Sequence, residues 1–90
     1  MSTEHVYRIV FDRRAAREFD KLPADVRARL SDRIGLLAND PRGHGVNALQ
    51  GTDGYRVRVG DYRAVFRVED AERLVTVRSV GHRSSVYPRR

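Results

Sequence analysis

Residues 55–68 read Tyr-Arg-Val-Arg-Val-Gly-Asp-Tyr-Arg-Ala-Val-Phe-Arg-Val, two alternating runs either side of Gly60-Asp61. Alternation of apolar and polar residues marks a half-buried strand, and Gly-Asp in a two-residue break is a strong hairpin signal. Such a turn sets the register: Val59 faces Tyr62, Arg58 faces Arg63, Val57 faces Ala64 and Arg56 faces Val65. Successive side chains point to opposite faces of a strand. Tyr55, Val57, Val59, Tyr62, Ala64, Phe66 and Val68 therefore share one face, and Arg56, Arg58, Arg63, Val65 and Arg67 the other. Like charges directly opposite each other destabilise a strand pair, so Arg58 and Arg63 cost stability unless an anion lies over them. The apolar side predicts a core, and the arginine side predicts a ligand.

The segments around the hairpin complete the domain. Residues 6–11 alternate Tyr7, Ile9 and Phe11 against Val6, Arg8 and Val10, a first strand with apolar residues on both faces. Asp12 offers an N-cap. Residues 13–22 carry Ala15, Phe19 and Leu22 at helical spacing, with Arg14 and Glu18 one turn apart. Pro23 separates this helix from a second over residues 24–38, whose apolar stripe is Val26, Leu30, Ile34 and Leu37. Asn39-Asp40-Pro41 stops it. Residues 42–54 form the longest irregular stretch, with Leu49 as its expected core anchor, and residues 69–73 form a charged turn. Residues 74–80 read as a last strand, and a basic tail over 81–90 holds His82, Arg83 and Tyr87. The order β-α-α-β-β-β predicts a single α+β domain spanning residues 1–90. A helical hairpin covers one face of a mostly antiparallel four-stranded sheet, and the other face is a shallow arginine-lined groove.

Composition narrows the partners. The chain has 90 residues, 18 Lys+Arg against 12 Asp+Glu, and a net charge of +6. Lys21 is the single lysine. Arginine's planar fork suits bidentate contact with phosphate or carboxylate, which points to nucleic acid or an acidic protein. An arginine-rich codon usage produces the same ratio, so placement is the informative feature. Cysteine is absent, which excludes disulfides and thiolate metal sites. No apolar run approaches the ~20 residues of a membrane span, and the first residues have neither region of a signal peptide. A cytoplasmic protein without a cofactor is expected. His5 and His44 have no partner at metal-ligand spacing, and Asp12, Glu18, Asp20, Asp25 and Asp32 read as solvated helix charges.

Three motifs in order, Leu49-Gln-Gly51, the hairpin from Tyr55 to Phe66, and Val80-Gly-His-Arg-Ser-Ser-Val-Tyr87, resemble the RelE/ParE superfamily of toxins from type II toxin–antitoxin systems. The ending is similar to the RelE branch, whose members enter the ribosomal A site and cut mRNA without a metal. The resemblance implies attack of a ribose 2′-hydroxyl on the neighbouring phosphate. That reaction needs a proton acceptor, cations for the phosphorane and a donor near the leaving oxygen. By the same resemblance Arg63 and Arg83 contact the phosphate, Arg56 and Arg58 bind the mRNA backbone with Arg67 beside them, and Tyr87 stacks on a base near the attacking hydroxyl. His82 stands where the best-known RelE has lysine, and the interval from Arg83 to Tyr87 is shorter than in that protein. Histidine titrates near neutrality, so His82 can serve as base or acid. Arg63 and Arg83 lie outside the expected core, so alanine at both is expected to remove cleavage and spare the fold.

The resemblance also implies partners: an antitoxin with an acidic or amphipathic segment that wraps the toxin, the ribosome and mRNA. Two other functions fit the same sequence. A ParE-like chain poisons DNA gyrase without catalysis, and a decayed toxin binds only its antitoxin.

Overall fold

The structure, a computed structural model, describes residues 6–84. Its elements are β1 (Arg8–Phe11), α1 (Arg13–Asp20), α2 (Ala24–Gly35), β2 (Asn47–Ala48), β3 (Tyr55–Val59), β4 (Tyr62–Glu69) and β5 (Leu74–His82). The strands form one five-stranded sheet in the order β1-β5-β4-β3-β2. Only the β1–β5 pair is parallel. The class is the α+β layering expected from the sequence, with one strand more than its four. The extra strand, β2, is only two residues long, too short for alternation to reveal it.

The hairpin forms in the expected register, with Val59 opposite Tyr62, Arg58 opposite Arg63, Val57 opposite Ala64 and Arg56 opposite Val65. Gly60 takes the positive φ, +59°, that the first central residue of a type II′ turn demands. The apolar face is the core. Val57, Ala64, Phe66, Val75 and Val77 are fully buried there against Ala15 of α1 and Val26, Leu30, Ile34 and Leu37 of the second helical segment. Each large apolar side chain so buried contributes roughly 1.5–3 kcal/mol.

Local signals set the helix ends. Asp12 accepts a hydrogen bond from the Ala15 amide at 2.9 Å, the expected N-cap. Helix α1 stops at Asp20, two residues short of the expected end, because a residue before proline is driven out of helical geometry. Arg27 then donates to the Leu22 carbonyl at 2.8 Å and closes the break between the helices. Helix α2 tightens into a 3₁₀ turn over Leu36–Ala38 before the stop.

Two expectations fail for physical reasons. Leu49 is half-buried at a cleft and does not join the core cluster; Val46 packs there, and Pro41 is buried. Glu18 is no solvated charge. Between β4 and β5 the pairing shifts, so that Val65 faces Ser79 while Phe66 faces Val77 and Arg78 is the extra residue of a bulge. The bulge leaves the Val80 amide without its ladder acceptor, and Glu18 Oε1 takes it at 3.0 Å together with the Ser79 hydroxyl at 3.1 Å. Oε2 of the same carboxylate pairs with Arg14 at 3.0 Å. One side chain thus fastens α1 to β5.

A candidate nucleic-acid interface on the arginine face

Cross-strand pairing sorts the arginine face into rungs. One runs Arg58–Arg63–Gly81, and the next Asn47–Arg56–Val65–Ser79. Arg67 pairs with Thr76 on the rung after that. Alternate rungs on one face lie about 6.5–7 Å apart, two residues of strand rise, which is close to the phosphate spacing of an extended nucleic-acid backbone. The arginines therefore form a ladder and not a point.

The two arginines of the first rung differ. Arg63 is only 8% exposed. It sits on β4, the central strand, where neighbours on both sides cover its stem, so the sequence-based reading of Arg63 as lying outside the core is corrected here. Arg58 is exposed because β2 ends before its rung, and among the described residues it has neither an ion-pair nor a hydrogen-bond partner. No carboxylate stands on that rung. Arg56 is half-buried, and Arg67 reaches Glu69 at 3.8 Å, a loose exposed pair. Beside Arg67 the face hollows into a cleft of about 650 Å³ lined by Val65, Ser79, Arg78, Arg14 and Asp53 among others.

The end of β5 brings only part of the expected set to this face. His82 pairs with Tyr62, one residue off the arginine rung, and its ring meets the Tyr62 ring edge-on at 5.6 Å. It thus stands at the end of the sheet on the rung of the core-facing Tyr62. The Ser84 amide donates to His82 Nδ1 at 3.3 Å, with Ser84 Oγ at 3.0 Å. A backbone N–H can only donate, so Nδ1 is the acceptor and the neutral ring carries its proton on Nε2. Arg83 is exposed, and its amide donates to the Asp61 carbonyl at 2.8 Å, which tethers the chain beyond β5 to the hairpin turn. Tyr87 lies outside the described residues. The sequence did not reveal Asn47 on the Arg56 rung or Arg78 at the bulge, since neither a two-residue strand nor a bulge leaves a periodic trace.

A contrasting arginine sits at the far corner. Arg42 makes a bidentate pair with Asp70 at 2.9 and 2.9 Å, donates through Nε to the Tyr55 hydroxyl at 2.9 Å, and lies over the Tyr55 ring. Tyr7 donates to the same carboxylate at 2.6 Å. These donors hold Asp70 down at about 2, Arg42's bond first and Tyr7's second. The bond to Asp70 raises Tyr7 above the ordinary phenol range.

Comparison with known proteins decides the family. The sequence profile described as "ParE toxin of type II toxin-antitoxin system, parDE" matches residues 9–87. The chain belongs to the RelE/ParE superfamily of type II toxin–antitoxin toxins. Toxin RelE of Mycobacterium tuberculosis (strain ATCC 25618 / H37Rv) is 30% identical over 89 residues, covering 97% of this chain and 92% of that one. The mRNA interferase toxin RelE of Escherichia coli K12 is 37% identical over 86 residues, 90% of each. Among solved structures, the isolated E. coli RelE toxin superposes with a TM-score of 0.77 at 35% identity, covering 84% of this toxin and 83% of that chain. The M. tuberculosis RelBE2 toxin–antitoxin complex gives a TM-score of 0.80 at 25% identity, covering 94% and 100%. No helix among the described residues is long and apolar enough to cross a membrane.

Proposed function

We propose that this toxin is a ribosome-dependent mRNA endonuclease that cuts in the A site by a metal-independent attack of a 2′-hydroxyl on the adjacent phosphate. The observation that carries the reading is the rung Arg58–Arg63–Gly81, which makes two arginines direct cross-strand partners. Such a rung is unfavourable alone and favourable under a phosphate, whose charge rises as the phosphorane forms. Arg63, held by the central strand, supplies a fixed donor fork. Arg58 is the exposed second cation, and Arg56 and Arg67 continue the backbone path. Arg83, exposed at the end of β5, closes the phosphate from the side of the tail.

The 2′-hydroxyl loses its proton to water as its oxygen forms the new P–O bond, and the departing 5′-oxygen takes a proton from water, leaving a 2′,3′-cyclic phosphate and a 5′-hydroxyl. His82 fits the departing end better than the attacking one. Nδ1 is occupied by the Ser84 amide, so the ring offers Nε2–H as a donor. In this reading His82 donates a hydrogen bond from Nε2–H to the leaving oxygen as charge gathers on it, and Tyr87 stacks on a base beside the attacking hydroxyl. Support for RNA chemistry comes from the E. coli and Shigella flexneri relatives, both named mRNA interferases. The RelBE complexes among the structural relatives support a cognate antitoxin as the protein partner.

The test is a cell-free translation reaction in which mRNA 5′ ends are mapped after the toxin is added. Cuts confined to ribosome-occupied codons, carrying 5′-hydroxyl ends and lost in Arg83→Ala, are the expected result. The ParE description of the matching profile keeps a second reading, inhibition of DNA gyrase without catalysis. Uncut mRNA, continued translation and accumulating DNA breaks would establish that one instead.

A further inference from the structure

Arg58 borders a second hollow. On one side it faces Arg63; on the other it lines a cleft of about 630 Å³ shared with Arg33, Leu36, Asp40, His44 and Asn47. The cleft exists because the edge strand stops early. Strand β2 covers only Tyr55 and Arg56, and carrying the register on places Gly45 beside Arg58, where there is no side chain to fill the gap. Gly45 has φ +81°, and a Cβ there would also meet Arg33 Nη2 at 2.9 Å. That same Nη2 donates to the His44 carbonyl at 2.7 Å. The loop is therefore pinned by Arg33 in a shape that only glycine allows, and the pin holds His44 at the cleft. Asn47 stands on the Arg56 rung, and Leu36, 61% exposed, supplies apolar surface.

We propose that this cleft is a nucleobase subsite. With the scissile phosphate over Arg58 and Arg63, the base of the adjacent nucleotide enters it, and Arg58 spans phosphate and base. The inference rests on the nuclease reading and adds the substrate feature that reading leaves open, its sequence preference. A cleft of this size accepts one nucleotide. Unstacked RNA bases are held by stacking on aromatic rings, histidine included, with hydrogen bonds to their edges. His44 provides the ring and Leu36 the apolar support. Asn47 carries a donor and an acceptor on one amide, and Asp40 is an acceptor only. Together they favour a base with an exocyclic amino group, so uracil is the base disfavoured here.

The experiment is the translation reaction with an mRNA pool randomised through successive codons, every 5′ end being mapped for wild type and variants. His44→Ala and Asn47→Ala are each expected to lower the base preference at one nucleotide position beside the cut by roughly five- to tenfold, the size of a lost base-edge contact. Asp40→Asn admits uracil at that position, and Gly45→Ala, which displaces the pinned loop, flattens the same position. A merely structural role lowers cutting at all sites alike, as Arg63→Lys should. Variant profiles identical to wild type, or reduced uniformly, overturn the subsite while the nuclease stands. A wild-type toxin that cuts nothing overturns the nuclease and the subsite together.

Discussion

Two regions of this toxin spend arginine in opposite ways. At the corner, Arg42 is saturated: Asp70 takes both terminal nitrogens, Tyr55 takes Nε, and the Tyr55 ring lies under the guanidinium. On the hairpin, Arg58 faces Arg63 across a strand pair, on a rung with no carboxylate. The corner ties β3, the residue before β1 and two loops together and leaves Arg42 little to offer a ligand. The rung sets two like charges side by side on one strand pair, with Arg58 exposed to solvent. Arginine content alone distinguishes nothing; what lies on each arginine's rung separates a fastener from a site.

The sharpest way to break the comparison is Arg63. If the rung binds the scissile phosphate, Arg63→Lys, which keeps the charge and most of the stem but loses the planar fork, should slow cleavage by about 10²–10³, the loss of one preorganised transition-state donor. Arg63→Ala should do the same and also destabilise the fold, because the side chain is buried. Single-turnover rates and thermal melts separate the two effects. Cleavage by Arg63→Lys within a few-fold of wild type would place the phosphate elsewhere.

Arg58 sharpens it further, because here function and stability should move apart. Replacing it with alanine removes a like-charge pair worth ~0.2–1 kcal/mol on one rung, so the melting temperature should rise slightly. Cleavage should fall about tenfold or more, and the salt dependence of RNA binding should lose about one unit of slope. A variant that is less stable as well as less active would mean that an anion of the protein itself compensates Arg58.

How much of this was legible follows from range. The hairpin register, its turn glycine and the identity of the two facing arginines follow from alternation, a local pattern. So does the Asp12 cap. The burial of Arg63 was not legible, because it depends on β4 being the central strand, which only the full strand order decides. Nor was the position of His82. It lies next to Arg83 in sequence, yet pairing places it on the rung of Tyr62. Glu18 was misread for the same reason: Arg14 one turn away is visible in sequence, and the Val80 amide 62 residues on is not.

Glu18 offers the corresponding test of a fastener with no arginine-face role. Glu18→Ala strands the buried Val80 amide and takes one acceptor from the Ser79 hydroxyl, a loss of about 1–3 kcal/mol in unfolding free energy. Glu18→Gln keeps an acceptor and should recover most of it. Denaturant unfolding reads both. Equal losses for the two variants would show that the Arg14 pair, and not the bulge, is what Glu18 secures.

The smallest expected effect belongs to the corner, and its sign is fixed by Asp70. The carboxyl titrates at about 2 in the folded toxin against an ordinary value of 3.8, because Arg42 and Tyr7 donate to its ionised form. A depressed carboxylate contributes stability that is complete above its unfolded value and lost as pH falls through its folded one. The contribution of the Arg42–Asp70–Tyr7 cluster is therefore present from about pH 4 upward and disappears toward pH 2. Asp70→Asn should melt slightly below wild type at neutral pH, and the gap should close across that window. Solvent screening at this exposed position keeps the gap small. Cleavage at neutral pH should be unchanged, since the corner fastens the sheet and touches no substrate. If Asp70→Asn lost cleavage without losing stability, Arg42 would be a cation held in reserve for RNA, and the two kinds of arginine would be one.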